Sequence, residues 1–171
     1  MEKEIINEKL KKEILLMVED DQKMRSGDQW NSEIDRLNTE RIKIIISQYG
    51  WPGKSLVGEE GANGVWLLVQ HADHDVEFQK HALKFLQEAV ANEEAEKSNE
   101  AYLVDRIKVN TGQPQLFGTQ FYEDEKGQFG PRPIEDPENV EERRRIFGLE
   151  PFSEYQQLME RKHTELKNKE K

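Results

Sequence analysis

Apolar residues return every three or four positions along most of this chain, the period an α-helix with one buried face requires. Near the N-terminus Ile6, Leu10, Ile14, Met17 and Val18 keep that spacing until Ser26-Gly27-Asp28 interrupts it. Trp30, Ile34, Leu37, Ile44 and Ile45 predict a second helix, closed by Gly50 and Pro52. So short a join makes residues 1–50 an amphipathic helical hairpin. Its outer faces are dense in Glu and Lys, which reads as solvated charge over a shared core.

Trp51-Pro52-Gly53 is stiff and then flexible, and opens a new segment. From about Gly58 the helical pattern resumes with Ala62, Val65, Trp66 and Val69. Gly58, Gly61 and Gly64 are spaced by three, a small-residue side that lets a neighbouring helix or a ligand come close. Neither the Walker pattern nor GxGxxG is present, so a phosphate loop is not expected. A further helix is predicted from about Asp75 to Asn92, with Val76, Leu83, Leu86 and Val90 inward. Ala101, Leu103, Ile107 and Val109 mark another.

After Pro114 aromatic residues flank a polar Glu123-Asp124-Glu125-Lys126-Gly127 turn, which predicts a β-hairpin or flap near 116–134. Helix returns with Asp136 as cap, Pro137 in the first turn and Gly148 as stop, and Pro151 and Ser153 start a last one. The expected fold is mainly α: a single-domain helical bundle of at least five helices with one short β-hairpin. Within that one domain, residues 51–160 form the core and 161–171 a charged tail.

Composition narrows the function. The net charge of −10 argues against nucleic acid as a partner. With no cysteine, disulfides, thiolate catalysis and zinc–thiolate sites are excluded. The N-terminus is charged throughout, and no apolar run approaches the roughly 20 residues of a membrane span. A cytoplasmic protein with no membrane partner is expected.

The stretch His71-Ala72-Asp73-His74-Asp75 holds two of the four histidines. On a continuous helix His71, Asp75 and Gln79 share one stripe, and His74, Phe78, His81 and Phe85 a neighbouring one. The stretch reads equally as the joint between two helices, with Asp73 in the cap position. A carboxylate beside a histidine orients the ring, fixes its tautomer and supports the imidazolium. That makes His71 a candidate general base, with Asp73 or Asp75 as its partner. The competing reading is a helix-end hydrogen-bond network without chemistry, and His74 and His81 read as half-buried amphipathic positions. Asp105 or Glu59 would be needed to complete a metal set with His71 and Asp75. No HExxH is present, so neither a metal nor another cofactor is expected.

A second polar group follows. Asp105-Arg106 lies on a predicted helix, and Gln113, Gln115, Thr119 and Gln120 surround Gly112 and Gly118. Such groups suit either recognition of a polar ligand or satisfaction of the backbone.

The order Trp51-Pro52-Gly53, a Gly-rich helix ending in Gln70-His71-Ala72-Asp73, Gln79, Tyr102-Leu103-x-Asp105-Arg106, Gly112-x-Pro114-Gln115-x-x-Gly118-Thr119-Gln120 and an Arg-rich helix resembles an uncharacterised bacterial family, a domain of unknown function. The resemblance spans about residues 50–155. It implies site residues Trp51, Pro52, His71, Asp73, Gln79, Asp105, Arg106, Gln115, Gly118, Thr119 and Gln120, and favours Asp73 over Asp75 as partner of His71. It implies no activity or substrate.

Two functions follow from the residues. One is a small hydrolase or transferase acting on a polar small molecule, with His71 as base, Asp73 or Asp75 orienting it, and Arg106, Gln115 and Gln120 positioning the substrate. In that reading His71 shares a pocket with Arg106 and Gly118-Thr119-Gln120. The other is a non-catalytic ligand- or protein-binding domain in which these residues form a structural polar network. Self-association through the N-terminal helices is the protein–protein contact the pattern suggests.

Overall fold

The computed structural model describes residues 7–27 and 31–169. Ile6, Asp28 and Trp30, invoked above, lie outside the described residues, as does the last part of the 161–171 tail. The described residues form seven α-helices and one two-stranded antiparallel hairpin, a mainly α fold. The order is α1 (Glu8–Ser26), α2 (Ser32–Tyr49), α3 (Lys54–Gln70), α4 (Val76–Ala91), α5 (Lys97–Asn110), β1 (Phe121–Glu123), β2 (Phe129–Pro131), α6 (Val140–Ile146) and α7 (Phe152–Lys169). The chain divides into two compact units, Met1–Glu100 and Ala101–Lys171.

The first unit is built on helical stripes. Asn7 starts α1 by accepting the Leu10 N–H at 3.0 Å, and Gly27 ends it. Leu10, Ile14 and Met24 are buried along that helix. Each such side chain is worth roughly 1.5–3 kcal/mol of burial. The same stripe carries Asp21, which is only 1% exposed. On α2 the buried face is Asp35, Thr39, Ile42, Ile45 and Ile46. Leu37 and Ile44, expected inward, are 61% and 47% exposed. The inward stripe runs instead through Thr39, Ile42 and Ile46, three and four positions apart, and Leu37 and Ile44 fall off it. Helix α3 packs most extensively on α1. A Cβ on Gly64 would lie 2.9 Å from Ile14 Cγ2 and 3.1 Å from Val18 Cγ2, so this glycine is where α1 comes close. Gly58 instead bends the chain, because its φ of 72° breaks the helical path inside α3. On α4 the buried residues are Phe78, Gln79, Ala82, Leu86 and Ala89. Leu86 is inward as expected, whereas Val76, Leu83 and Val90 are half-buried.

The second unit is organised around the segment 115–120. β1 and β2 pair as Phe121↔Pro131, Tyr122↔Gly130 and Glu123↔Phe129, inside the 116–134 span the sequence predicts. Asp124 closes the turn by accepting the N–H groups of Lys126 and Gln128 at 2.9 and 2.8 Å. Phe117, Ala101 and Leu149 form the apolar centre. Arg144 is fully buried beside them, its Nε and Nη1 donating to the carbonyls of Glu150 and Phe117 at 2.7 and 2.6 Å. Asp136 makes no cap bond with its side chain. Its backbone is left-handed at φ 47°, and its carboxylate accepts from Asn139 Nδ2 at 2.7 Å.

Candidate functional site

The stretch from His71 to Asp75 is the joint between α3, which ends at Gln70, and α4, which begins at Val76. The stripe through His71, Asp75 and Gln79 is therefore broken. Asp75, not Asp73, is the cap of α4: its Oδ1 accepts the Phe78 N–H at 3.0 Å. Its Oδ2 meets Lys43 Nζ at 2.7 Å, and that ion pair together with the cap bond holds the Asp75 carboxyl below its ordinary value. Gln79 is fully buried and donates to the carbonyls of Val69 and Gln70, at 3.3 and 3.0 Å. It thus closes the C-terminal end of α3, where carbonyls lack helical partners. Asp73 is exposed, 3.4 Å from Gln79 Nε2.

The carboxylate that meets His71 comes from α1. His71 Nδ1 lies 2.9 and 3.0 Å from the two oxygens of Asp21. Asp21 Oδ1 also receives Arg25 Nε at 3.1 Å, and Oδ2 receives Gln22 Nε2 at 2.8 Å. Arg25 Nη2 continues to Asp35 Oδ1, 2.7 Å away on α2. Four ionisable groups from three segments thus form one chain: His71, Asp21, Arg25, Asp35.

The two carboxyls in that chain are driven apart. Burial raises the Asp21 carboxyl, but the hydrogen bond and charge of His71, with Arg25 and Gln22, outweigh it and the net shift is downward. Burial also raises Asp35, and there the single Arg25 contact does not compensate, so Asp35 stays above its ordinary value. Environments that separate two like groups in this way are those that divide acid and base roles. A cavity of about 250 Å³ opens beside them, lined by Arg25, Ser32, Asp35, Arg36, His71, Asp73 and His74. His71 keeps 13% of its side chain accessible there. Among the described residues no hydrogen-bond partner meets His71 Nε2 or Asp35 Oδ2.

Asp21, Asp35 and Arg25 were missed by reasoning from sequence, because the pairing of His71 with Asp21 spans 50 positions. A signal existed. Asp21 continues the Leu10–Ile14–Met17 spacing, and Asp35 continues back from Thr39, Ile42 and Ile46. A carboxylate on a core stripe must be paired or neutralised.

A second groove runs along α2 and α4, about 550 Å³, lined by Lys43, Ile46, Ser47, Asp75, Phe78, His81 and Phe85. His81 and Phe85 meet edge to face at 5.1 Å, whereas His74 lies in the joint before α4, and both histidines are exposed rather than half-buried. Among the described residues no group of three or more His, Asp or Glu is placed to hold a metal ion. None of the described helices is long and apolar enough to cross a membrane.

The remaining candidates belong to the second unit. Asp105 is fully buried and accepts the N–H groups of Leu116, Phe117 and Thr119 and the Thr119 hydroxyl, at 2.7–3.2 Å. Burial pushes its carboxyl up, and these donors pull it back only in part. Gln115 is also fully buried. Its Nε2 donates to the carbonyls of Gln120 and Arg132 at 3.0 and 2.8 Å, and its Oε1 accepts the Gln120 N–H at 2.8 Å. Arg106 Nη1 donates to Gln120 Oε1 at 3.1 Å, and Gln120 Nε2 donates to Thr119 Oγ1 at 3.0 Å.

No curated protein and no solved structure matches the chain. One family model does, over residues 8–169, a span that takes in α1 and α2 with their Asp21, Arg25 and Asp35 as well as the joint at His71. The chain belongs to that family, described as the family of unknown function DUF6624.

Proposed function

We propose that the cavity at the α3–α4 joint is the active site of a small hydrolase or transferase, with His71 as general base. The observation that carries this reading is the grip of the buried Asp21 carboxylate on His71 Nδ1, at 2.9 and 3.0 Å. A carboxylate accepting from Nδ1–H leaves Nε2 as the basic nitrogen. When Nε2 takes a proton, the imidazolium forms against an anion already in place. Positioned proton transfer of this kind contributes about 10²- to 10⁴-fold in rate. The cavity volume suits a small molecule, and each described side chain that lines it has a polar or charged end.

The residues of the second unit support a different role. The carboxylate of Asp105 and the amide of Gln115 are spent on backbone groups of the segment 115–120 and its neighbours. We read them as the framework of the hairpin rather than as substrate contacts.

Hydrolysis of p-nitrophenyl acetate by the wild type and by His71→Gln and Asp21→Asn variants tests the proposal. Turnover should fall about a hundredfold in His71→Gln, and by at least tenfold in Asp21→Asn. Turnover in which folded His71→Gln matches the wild type would overturn it.

A further inference from the structure

We infer that Asp35 is the second proton-transfer group of this cavity, the acid that protonates a leaving group, so that its substrates are small polar molecules whose alkoxide or amine cannot depart unprotonated. The inference rests on the reading of His71 as base and names its counterpart.

Three observations carry it. Asp35 and His71 line the same cavity. Each has one atom tied into the internal chain, His71 Nδ1 to Asp21 at 2.9 Å and Asp35 Oδ1 to Arg25 Nη2 at 2.7 Å. Each has a second atom, Nε2 and Oδ2, that no described residue occupies. A base and a carboxyl facing one space from separate segments of the chain are what concerted addition and departure require. The two carboxyls are not interchangeable. Asp21 is enclosed by His71, Arg25 and Gln22, whereas the Asp35 carboxyl meets Arg25 alone among the described residues. The upward shift of Asp35 agrees with a group that holds its proton longer than an ordinary carboxyl.

The step balances for an ester. A water oxygen adds to the carbonyl carbon while its proton passes to His71 Nε2. The carbon–oxygen bond to the alcohol portion breaks, and that oxygen takes the Asp35 proton. Acid and alcohol leave, and solvent returns the His71 proton to Asp35. Besides Asp35 and His71, the charged or titratable groups at the cavity among the described residues are Arg25, Arg36, Asp73 and His74, with Asp21 behind.

Two acetate esters distinguish the parts. p-Nitrophenolate leaves without a proton, and ethoxide does not. Asp35→Asn keeps an oxygen for Arg25, and its loss of rate should be at least tenfold greater on ethyl acetate than on p-nitrophenyl acetate. The unmutated protein provides a check independent of folding. Its ethyl acetate rate should fall with rising pH as Asp35 ionises, while its p-nitrophenyl acetate rate should show no such fall. Equal effects of Asp35→Asn on both esters, or identical pH profiles for both, would overturn the role of Asp35 and leave His71 standing. Turnover of neither ester depending on His71 would overturn both.

Discussion

Asp105 Oδ2 accepts two bonds from one residue, the backbone N–H and the hydroxyl of Thr119, both at 2.9 Å. Its other oxygen takes the N–H groups of Leu116 and Phe117 at 2.7 and 3.0 Å. All these groups are donors, so the site fits two oxygens and nothing else. Asp105→Asn puts an NH₂ against N–H groups and should lower unfolding free energy by about 2–3 kcal/mol in urea denaturation. A change below about 0.5 kcal/mol would show that the segment is held by other means.

Gly118 turns this segment at φ +69°, and a Cβ there would lie 2.5 Å from Phe152 Cε2. Gly118→Ala therefore combines left-handed strain of about 1–2 kcal/mol with a ring that must move. Gly112 has a similar φ, +73°, with nothing within 4 Å of its would-be Cβ. Gly112→Ala should cost only the strain, roughly 1 kcal/mol, and thermal melts should rank the two variants in that order.

Arg144 has no accessible surface, and its Nη2 lies 3.9 Å from Glu150 Oε2, at the limit of an ion pair. Its fork serves two carbonyls that a lysine ammonium cannot reach together. Arg144→Lys should destabilise by roughly 2–4 kcal/mol, and Glu150→Gln by less than about 1 kcal/mol, since Glu150 is 42% exposed. Chemical denaturation of both variants measures the difference.

Stability should respond to pH with opposite signs at the two carboxyls of the His71 site. Asp21 is lowered in the fold, so its contribution is present above the ordinary aspartate value, about 3.9, and is lost as pH falls below that. Asp35 is raised, so the fold binds its proton more tightly than the unfolded chain does. Its contribution is full below about pH 3.9 and declines as pH rises from there through the raised value. Subtracting the stability curve of Asp21→Asn from the wild type should leave a difference that rises with pH in the first window. The corresponding difference for Asp35→Asn should fall with pH in the second. Slopes of the same sign would contradict the two environments.

Helix positions, their breaks and the hairpin near 116–134 follow from local spacing, because a helix is a relation between residues three and four apart and a turn a relation between neighbours. Ser26-Gly27, Gly50 and Gly148 end helices where they should, and Gly64 sits under a neighbouring helix as small-residue spacing suggests. Local spacing erred where two stripes competed, as at Leu37 and Ile44, since filling of the core rather than apolar content decides which face turns inward.

The joint at His71-Ala72-Asp73-His74-Asp75 was legible as a polar place, but the partners of its residues were not. Which of its carboxylates caps α4 depended on where the helix starts, and packing placed the start later than a cap at Asp73 would need. The pairing of His71 with Asp21, and through Arg25 with Asp35, joins residues far apart in the chain, and only the seating of α1 and α2 brings them together. Local order determines periodicity and capping, because those energies act over one or two turns. A buried charge chooses its partner from whatever the packed helices present, and that choice is made by the tertiary structure alone.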